Sequence, residues 1–310
     1  MAHVIDRLLV PFVPWSFGEP GLRLRRHAFV DPGRIEGRHV VITGANTGIG
    51  RATVEGLLRR GAHVTMVCRD RGRAEVARSE IANALGRPDR ITLELCDVAR
   101  LDEVAALATR LRDPIDVVIH NAGVLPRERS ETTDGFEMTW ATHVVGPHLL
   151  TRLLRPRLTS ASRIVLVSSG GMYLVPLVAP ATVPEPYDGV RAYALTKRAQ
   201  VVLAELWAEH DPDGPYVVAM HPGWVDTAGV RTSLPKFHAL TRRLLRTPAG
   251  GADTLEWLAA CPLGQIHRGG FYFDRARRRT HVGAWPRDRP ELRAELWRWC
   301  QAVTERYVTS

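Results

Sequence analysis

Tyr193 and Lys197 are the residues whose types and spacing most clearly indicate chemistry, because they stand four positions apart at the start of a helical pattern. Side chains at that spacing share one face of a helix, so the phenol and the ammonium would be neighbours. A nearby ammonium lowers the pKa of a phenol and allows it to exchange a proton with a substrate oxygen near neutral pH. The pair therefore predicts a tyrosine general acid or base. The alternative is a surface pair on an exposed helix.

A glycine-rich turn from Thr43 to Gly50 is the second chemical feature, since it follows a strand-like apolar run and precedes a helical pattern. Glycine lets the backbone approach a phosphate closely, and the free N–H groups at a helix start favour an anion. The spacing, G-x-x-x-G-x-G, differs from the common G-x-G-x-x-G pattern. We predict that this turn binds the pyrophosphate of a nicotinamide dinucleotide, with a purely structural turn as the alternative. The residues predicted to contact the cofactor here are Gly44, Asn46, Thr47, Gly48, Ile49 and Gly50.

The end of the second strand pattern, Met66 to Asp70, indicates which nicotinamide cofactor is preferred. An acidic residue there accepts hydrogen bonds from the adenosine 2′-hydroxyl of NAD(H), whereas an arginine pairs with the 2′-phosphate of NADP(H). Cys68 stands where the acid is expected, and Arg69 follows it. We therefore predict NADP(H), with NAD(H) as the alternative. Asp70 is either a ribose acceptor or, as we favour, the cap of the next helix.

Short apolar runs alternate with longer helical patterns from His39 onward, which is typical of a parallel sheet with crossover helices. We predict a Rossmann-type, doubly wound α/β fold in which a seven-stranded parallel sheet carries helices on both faces. The predicted strands are 39–43, 63–68, 91–95, 116–120, 163–168, 216–220 and 270–273. The predicted helices are 49–60, 70–84, 101–111, 134–158, 191–210 and 247–260. Ligands of such folds bind at the carboxyl ends of the strands, where the two features above should meet.

The domain organisation follows from the position of the first strand. We predict an N-terminal extension, 1–37, and one dinucleotide-binding oxidoreductase domain, 38–310. Two irregular stretches, 170–190 and 224–246, come after predicted strands. We favour loops that cover the substrate over loops that only fill the surface.

The extension contains a short apolar stretch, 8–15, that prolines interrupt. It is far shorter than the ~20 apolar residues that a spanning helix needs. An arm packed on the domain is the simpler interpretation. The alternative is a membrane-surface or dimer contact within residues 1–30, formed with Leu22, Leu24 and Phe29.

The composition argues against other classes of function. A net charge of +9 and a pI of about 10.0 suit nucleic acid, but the arginine clusters are scattered and no nucleic-acid-binding motif accompanies them. We therefore predict no nucleic-acid partner. The four cysteines are far apart, which predicts no metal site and reduced thiols in a cytoplasm. They are Cys68, Cys96, Cys261 and Cys300.

The joint order of these motifs resembles the short-chain dehydrogenase/reductase family over about residues 38–275. Each further motif falls at the carboxyl end of a predicted strand, so the combination is specific although each tripeptide alone is weak. These motifs are Cys96-Asp97-Val98, Asn121-Ala122-Gly123, Val167-Ser168-Ser169 and Pro222-Gly223-Trp224-Val225-Asp226-Thr227. The long gap between Ser169 and Tyr193 is similar to the retinol-dehydrogenase-like branch. The segments around Gly170 and His221 look closest to a branch called dehydrogenase/reductase member 12-like.

The resemblance implies a role for each motif. Tyr193 would be the general acid or base, Lys197 would hold the nicotinamide ribose and tune Tyr193, and Ser169 rather than Ser168 would hydrogen-bond the substrate oxygen. Asp97 and Val98 would contact the adenine of the cofactor, and Asn121, Ala122 and Gly123 would contact it beside the central strands. After the sixth strand, Thr227 would contact the carboxamide, and the other implied cofactor contacts are Pro222, Gly223 and Val225.

His143 departs from the family pattern, because the family places an asparagine that anchors a relay water in the helix after the Asn-Ala-Gly motif. Histidine both donates and accepts through its ring nitrogens, so a catalytic relay would survive with a different pH dependence. The equal alternative is a core histidine paired to the backbone.

Together these features predict an NADP(H)-dependent short-chain alcohol dehydrogenase or carbonyl reductase. Apolar residues in 170–190 and between Trp224 and Leu245 favour a hydrophobic alcohol, aldehyde or ketone as substrate. The alternative is a nucleotide-binding regulatory or scaffold protein with little turnover. Both would be cytoplasmic, with peripheral membrane contact left open.

The resemblance also implies a homo-oligomer built through the long helices at 134–158 and 191–210. The carboxyl-terminal segment from Arg275 to Ser310 would either cover the site or stabilise an interface, and these alternatives stay open. Its tryptophans are Trp285, Trp297 and Trp299.

Overall fold

One sheet of eight strands forms the centre of the computed structural model, which describes residues 13–281 and 288–308. Its strands are β1 (His39–Thr43), β2 (His63–Cys68), β3 (Ile91–Leu95), β4 (Val117–His120), β5 (Arg163–Val167), β6 (Tyr216–Met220), β7 (Phe271–Phe273) and β8 (Ala276–Arg278). They are arranged in the order β3-β2-β1-β4-β5-β6-β7-β8. All neighbours from β3 to β7 run parallel, which confirms the predicted doubly wound arrangement.

The eighth strand corrects the prediction of a seven-stranded sheet. β8 pairs antiparallel with β7 through a tight turn at Asp274 and Arg275. Both turn residues have positive φ, at 49° and 57°, as a hairpin that matches the twist of its strands requires. The turn lacks the Asn-Gly or Asp-Gly pair that normally signals such a hairpin, which is why the sequence pattern ended at 273.

Helices cover both faces of the sheet and join its strands. They are α1 (Val13–Phe17), α2 (Glu19–Arg26), α3 (Gly48–Arg59), α4 (Arg71–Leu85), α5 (Leu101–Arg110), α6 (Met138–Trp140, then a π turn at Ala141–Val145, then Gly146–Leu154), α7 (Gly189–His210), α8 (Ala228–Ser233), α9 (Pro235–Thr241), α10 (Pro248–Ala260) and α11 (Pro290–Thr304). One buried core lies between the sheet and helices α5, α6, α7 and α11. The other lies between the sheet and helices α3, α4 and α10.

Several boundaries differ from the sequence prediction. Helix α7 begins at Gly189 because the Asp188 carboxylate accepts hydrogen bonds from the N–H groups of Val190 and Arg191. The stretch 170–190 opens with a short 3₁₀ helix, Gly170–Leu174, and 224–246 contains α8 and α9, so neither is wholly irregular.

The carboxyl-terminal helix α11 packs against α6 and α7. Trp297 lies edge-on to Trp207 with ring centroids 5.3 Å apart, and Arg293 forms ion pairs with Glu205 and Glu209. The helices predicted to form an oligomer interface are therefore covered by the chain itself along this face. Trp285 lies outside the described residues.

Candidate active site

A cavity of about 1150 Å³ opens at the carboxyl ends of the parallel strands. Every strand from β1 to β6 is followed by residues that line it, as expected for a doubly wound sheet. These lining residues include Gly44 after β1, Arg69 after β2, Asp97 after β3, Asn121 after β4, Ser169 after β5 and Pro222 after β6.

The glycine turn forms a narrow cradle at one end of this cavity. Gly44 has a φ of +66°, and a Cβ atom added to it would lie 2.9 Å from the Cα of Ala122. A Cβ on Gly50 would lie 2.2 Å from the carbonyl oxygen of Gly44. Thr47 precedes α3 without capping its free N–H groups through its side chain. A backbone this close, ending at an uncapped helix start, fits a pyrophosphate.

Asn121 ties the cradle to the central strands. Its side-chain amide donates to the carbonyl oxygens of Thr43 at 2.9 Å and Gly44 at 3.1 Å. The backbone N–H groups of Asn121 and Ala122 both donate to the Thr43 hydroxyl at 3.1 Å. These bonds fix the carboxyl ends of β1 and β4 relative to each other.

Two arginines lie on the cavity side of the β2 end. Arg69 is exposed and lines the cavity, and Arg73 on α4 lines it as well. Asp70 caps α4 by accepting the N–H of Arg73 at 2.9 Å and also pairs with the Arg73 guanidinium at 3.2 Å. Sequence reasoning missed Arg73, although its position one helical turn beyond Arg69 could have suggested it.

Asp97 and Val98 line the cavity beyond β3. The Asp97 carboxylate accepts the N–H of Ala99 at 3.0 Å, and the Asp97 N–H donates to Glu103 at 2.8 Å. The local turn is therefore held by its own hydrogen bonds.

Ser169, Tyr193 and Lys197 meet between the β5 end and the first turns of α7. Burial raises the pKa of Tyr193, and a hydrogen bond with the Ser169 side chain opposes this shift. The Lys197 ammonium lies 5.4 Å from the centroid of the Tyr193 ring. Burial lowers the pKa of Lys197 to about 7, because its charged form loses the solvation it would have in water.

Lys197 is held from two sides. Its ammonium donates to the carbonyl oxygen of Val167 at 2.8 Å and to the side-chain oxygen of Gln200 at 2.8 Å. The Ser168 hydroxyl donates to the Lys197 carbonyl oxygen at 2.8 Å, which ties β5 to α7. The Ser168 hydroxyl is thus engaged in the scaffold, while Ser169 lines the same cavity as Tyr193.

His143 lies behind Tyr193 in the π turn of α6, and it does not line the cavity. Its Nε2 accepts the N–H of Val124 at 3.0 Å, so the ring proton is on Nδ1, which donates to the Thr196 hydroxyl at 2.8 Å. Burial, assisted by Lys197, holds the pKa of His143 well below its usual range. The ring is neutral and both its nitrogens have protein partners, an arrangement that favours the packing alternative over a relay.

The β6 motif divides into cavity and scaffold positions. Pro222 and Thr227 line the cavity, whereas Gly223 and Val225 do not. Gly223 has a φ of +83° and packs against Arg246, and Val225 is buried. Thr227 also caps α8 by accepting the N–H of Val230 at 3.3 Å.

Other residues of the cavity wall were missed by sequence reasoning. They come from segments remote from the motifs, and no motif marks them. They are Ser16, Phe17 and Arg25 from the extension, and Phe273 and Arg278 from the β7–β8 hairpin. Tyr173 also lines the cavity and belongs to the stretch 170–190, which the sequence predicts to cover the substrate.

Residues 13–281 and 288–308 hold no cluster of three or more His, Cys, Asp or Glu residues that could bind a metal. Nor does any helix in those two stretches combine the length and apolar character needed to cross a membrane.

Comparisons with known proteins place the chain among oxidoreductases. A family model described as short chain dehydrogenase matches residues 38–236. Dehydrogenase/reductase SDR family member 12 of Bos taurus is 40% identical over 256 residues, which cover 80% of this chain and 80% of that protein. A candidate daunorubicin C-13 ketoreductase, DnrU of Streptomyces sp. (strain C5), is 38% identical over 86% of this chain and 92% of its own length. Retinol dehydrogenase 14 of Mus musculus is 37% identical over 75% of this chain and 76% of its own.

Solved structures agree with this placement. A protein described as a candidate NAD(P)-dependent gluconate 5-dehydrogenase from Beutenbergia cavernae, with bound NADP, superposes with a TM-score of 0.63. It is 26% identical and covers 77% of this chain and 96% of its own.

Proposed function

The chain belongs to the short-chain dehydrogenase/reductase family, in its retinol-dehydrogenase-like branch, and we propose that it transfers hydride between NADP(H) and a hydrophobic alcohol, aldehyde or ketone. It is an alcohol or carbonyl oxidoreductase. The observation that supports the finer proposal is that Ser169, Tyr193 and Lys197 line one cavity together with the glycine cradle.

The residues of the site divide the reaction between them. The nicotinamide, when bound, supplies or accepts the hydride. In the reductive direction, Tyr193 gives its phenolic proton to the substrate oxygen, and the Ser169 hydroxyl positions that oxygen by hydrogen bonding. The Lys197 ammonium, 5.4 Å from the ring centroid, stabilises the phenolate that forms. In the oxidative direction the same groups remove the hydroxyl proton.

NADP(H) is the cofactor that the β2 end supports. Arg69 and Arg73 both line the cavity there, and a 2′-phosphate pairs well with guanidinium groups. The nearby acid, Asp70, already caps α4 and pairs with Arg73, so it is a poor partner for a ribose hydroxyl.

A hydrophobic substrate is supported by the walls on the Tyr193 side of the cavity. Leu125, Leu174, Val190, Trp224 and Phe237 line it there. Among the polar side chains that also line the cavity, we assign Ser169 and Tyr193 the contact with the reacting oxygen.

The test is the loss of NADPH absorbance with a panel of apolar aldehydes and ketones. Tyr193→Phe should lower kcat at least about a hundredfold, the usual contribution of a general acid, while NADPH still binds. Tyr187→Phe is the matched control, because Tyr187 bonds Glu137 at 3.1 Å and does not line the cavity. Binding of NADPH without turnover of any compound by the unaltered protein would instead support a scaffold function.

Assembly and location are also proposals. A homo-oligomer would have to use a surface other than the α6–α7 face that α11 covers. A cytoplasmic location accords with the four unpaired, buried cysteines. Peripheral membrane contact through the extension would use Trp15 and Leu24, which are exposed, rather than Leu22, which is buried. Residues 1–12 lie outside the described part of the chain.

A further inference from the structure

The N-terminal extension contributes an aromatic ring to the cavity beside the candidate catalytic serine. Phe17, the last residue of α1, lines the cavity. A Cβ atom added to Gly170 would lie 2.8 Å from the Phe17 ring, so the ring packs directly on the backbone next to Ser169. Phe17, which lies outside the predicted catalytic domain, therefore contacts Gly170, the residue that follows Ser169 in the chain.

Three aromatic neighbours hold the Phe17 ring edge-on. Its centroid lies 4.7 Å from that of His221, 5.3 Å from that of Phe273 and 6.2 Å from that of Trp224. His221 in turn stacks on Phe273 at 4.1 Å. Rings in these edge-to-face arrangements attract one another and resist displacement. Phe17 is thus a fixed wall of the cavity.

The backbone of the extension is anchored as firmly as the ring. The Phe17 carbonyl oxygen accepts the N–H of Trp224 at 2.9 Å, and the Glu19 N–H donates to the carbonyl oxygen of Leu244 at 2.8 Å. Both partners belong to the loop region 224–246. The extension is therefore bonded to that loop region on both sides of Gly18, which holds Phe17 in the cavity.

A buried ion cluster completes the anchor. Asp274 pairs with Arg246 at 2.6 Å and with Arg25 at 2.9 Å. Arg25 also donates to the carbonyl oxygen of Ser16 at 2.8 Å, and Arg246 donates to that of Gly18 at 3.2 Å. Charges this deeply buried stay only where their partners are fixed, so the residues on either side of Phe17 are held in place.

We propose that Phe17 is a specificity-determining residue, which limits the bulk that a substrate can carry next to its reacting carbon on the Gly170 side. This inference rests on the proposed function. Narrow aldehydes and ketones fit beside the ring, and carbonyl compounds with a ring on each side of the carbonyl do not.

The experiment compares butanal with benzophenone, whose carbonyl carries two rings, in the unaltered protein and in Phe17→Ala. Removal of the phenyl group should raise kcat/KM for benzophenone relative to butanal at least about tenfold, since pocket contacts of this size discriminate by ~10–200-fold. The Kd of NADPH should stay within about threefold, because the Phe17 ring packs on Gly170 and is not among the close neighbours of Gly44, Gly48 or Gly50 in the glycine turn.

Phe29→Ala is the matched control, since Phe29 lies in the same extension, packs under Arg275 at 4.5 Å and does not line the cavity. It should leave the benzophenone-to-butanal ratio unchanged. An unchanged ratio in Phe17→Ala, or an equal change in Phe29→Ala, would overturn the proposal. Phe17→Leu, which keeps an apolar side chain, serves if Phe17→Ala does not fold.

The two proposals fail in different ways. If the unaltered protein binds NADPH and turns over none of the panel of apolar aldehydes and ketones, the proposed function fails. Calorimetric binding of benzophenone to the NADP⁺-loaded protein then decides the role of Phe17. Tighter binding of benzophenone by Phe17→Ala than by the unaltered protein would support the proposal that the Phe17 ring limits substrate bulk. Equal binding would refute that proposal.

Discussion

Replacing His143 with alanine separates a packing role from a proton-relay role. The substitution leaves the Val124 N–H buried without its acceptor, at a cost of ~1–3 kcal/mol. It also removes the bond to the Thr196 hydroxyl, which contributes ~0.5–1.5 kcal/mol. Thr196 keeps its own acceptors, the carbonyl oxygens of Ala192 and Tyr193. We therefore expect the free energy of unfolding to fall by about 1.5–4.5 kcal/mol at pH 7.5 from these polar contacts alone.

The pH dependence of that loss has a definite sign. Burial holds the pKa of His143 well below its usual range, so the folded protein keeps the ring neutral while the unfolded chain protonates it below about pH 6.5. The unaltered protein therefore loses stability through this group as the pH falls, and the alanine variant does not. The difference in unfolding free energy between the two proteins should shrink by about 1.4 kcal/mol between pH 7.5 and pH 5.5.

Urea unfolding at pH 7.5 and pH 5.5 measures the change in the free energy of unfolding. The dependence of kcat on pH measures whether His143 takes part in proton transfer. A packing role predicts that His143→Ala and His143→Asn both keep the shape of the kcat profile, whatever their effect on stability. A shift of either limb by about one pH unit, in a variant that is still folded, would refute this reasoning and restore the relay. A stability difference that grows toward pH 5.5 would refute the assigned ring state.

Three further changes test other parts of the structure. Arg69→Ala should raise the Kd of NADPH at least about tenfold and leave that of NADH within about threefold, as titrations of each will show; equal losses would contradict a 2′-phosphate contact. Asp274→Asn should cost about 3–5 kcal/mol in urea unfolding, because it removes the buried charge that pairs with Arg246, and a loss below about 1 kcal/mol would disprove the anchor. His148→Phe should stabilise by about 1–3 kcal/mol, because within the described residues neither ring nitrogen of His148 has a hydrogen-bond partner; destabilisation in the same assay would indicate an unseen one.

The sequence was sufficient for the seven parallel strands and for the position of the glycine turn, because both depend on local pattern. Apolar runs alternating with helical patterns define strands β1 to β7, and the strand-to-helix context locates Gly44 and Gly50 at the carboxyl edge. The placement of Ser169 and Tyr193 on one cavity follows from the same rule, since α7 is the crossover helix that starts beyond the carboxyl end of β5. The roles of these residues in catalysis stay predictions.

Side-chain pairing within the site was not predictable from the same patterns. A histidine in place of asparagine looked equally suited to relay and to packing, and only the partners of its two nitrogens, Val124 and Thr196, separate the alternatives. Gly223 and Val225 belong to a motif that the sequence assigns to the cofactor. In the structure, however, Gly223 provides a backbone turn with positive φ, and Val225 is buried in the protein.

The extension shows where local reasoning ends. Its apolar residues suggested an arm or a membrane contact, and nothing in the run around Phe17 indicates a cavity. The contact depends on Asp274, which pairs with Arg25 across 249 positions of sequence and sits in a hairpin turn with no sequence signal. Because the loop region 224–246 bonds the same extension, substrate selectivity and the stability of the N-terminal segment should vary together. Asp274→Asn loosens the anchor without changing Phe17, so it should also weaken the preference for butanal over benzophenone. An unchanged preference in a folded Asp274→Asn protein would show that substrate selectivity does not depend on the anchor.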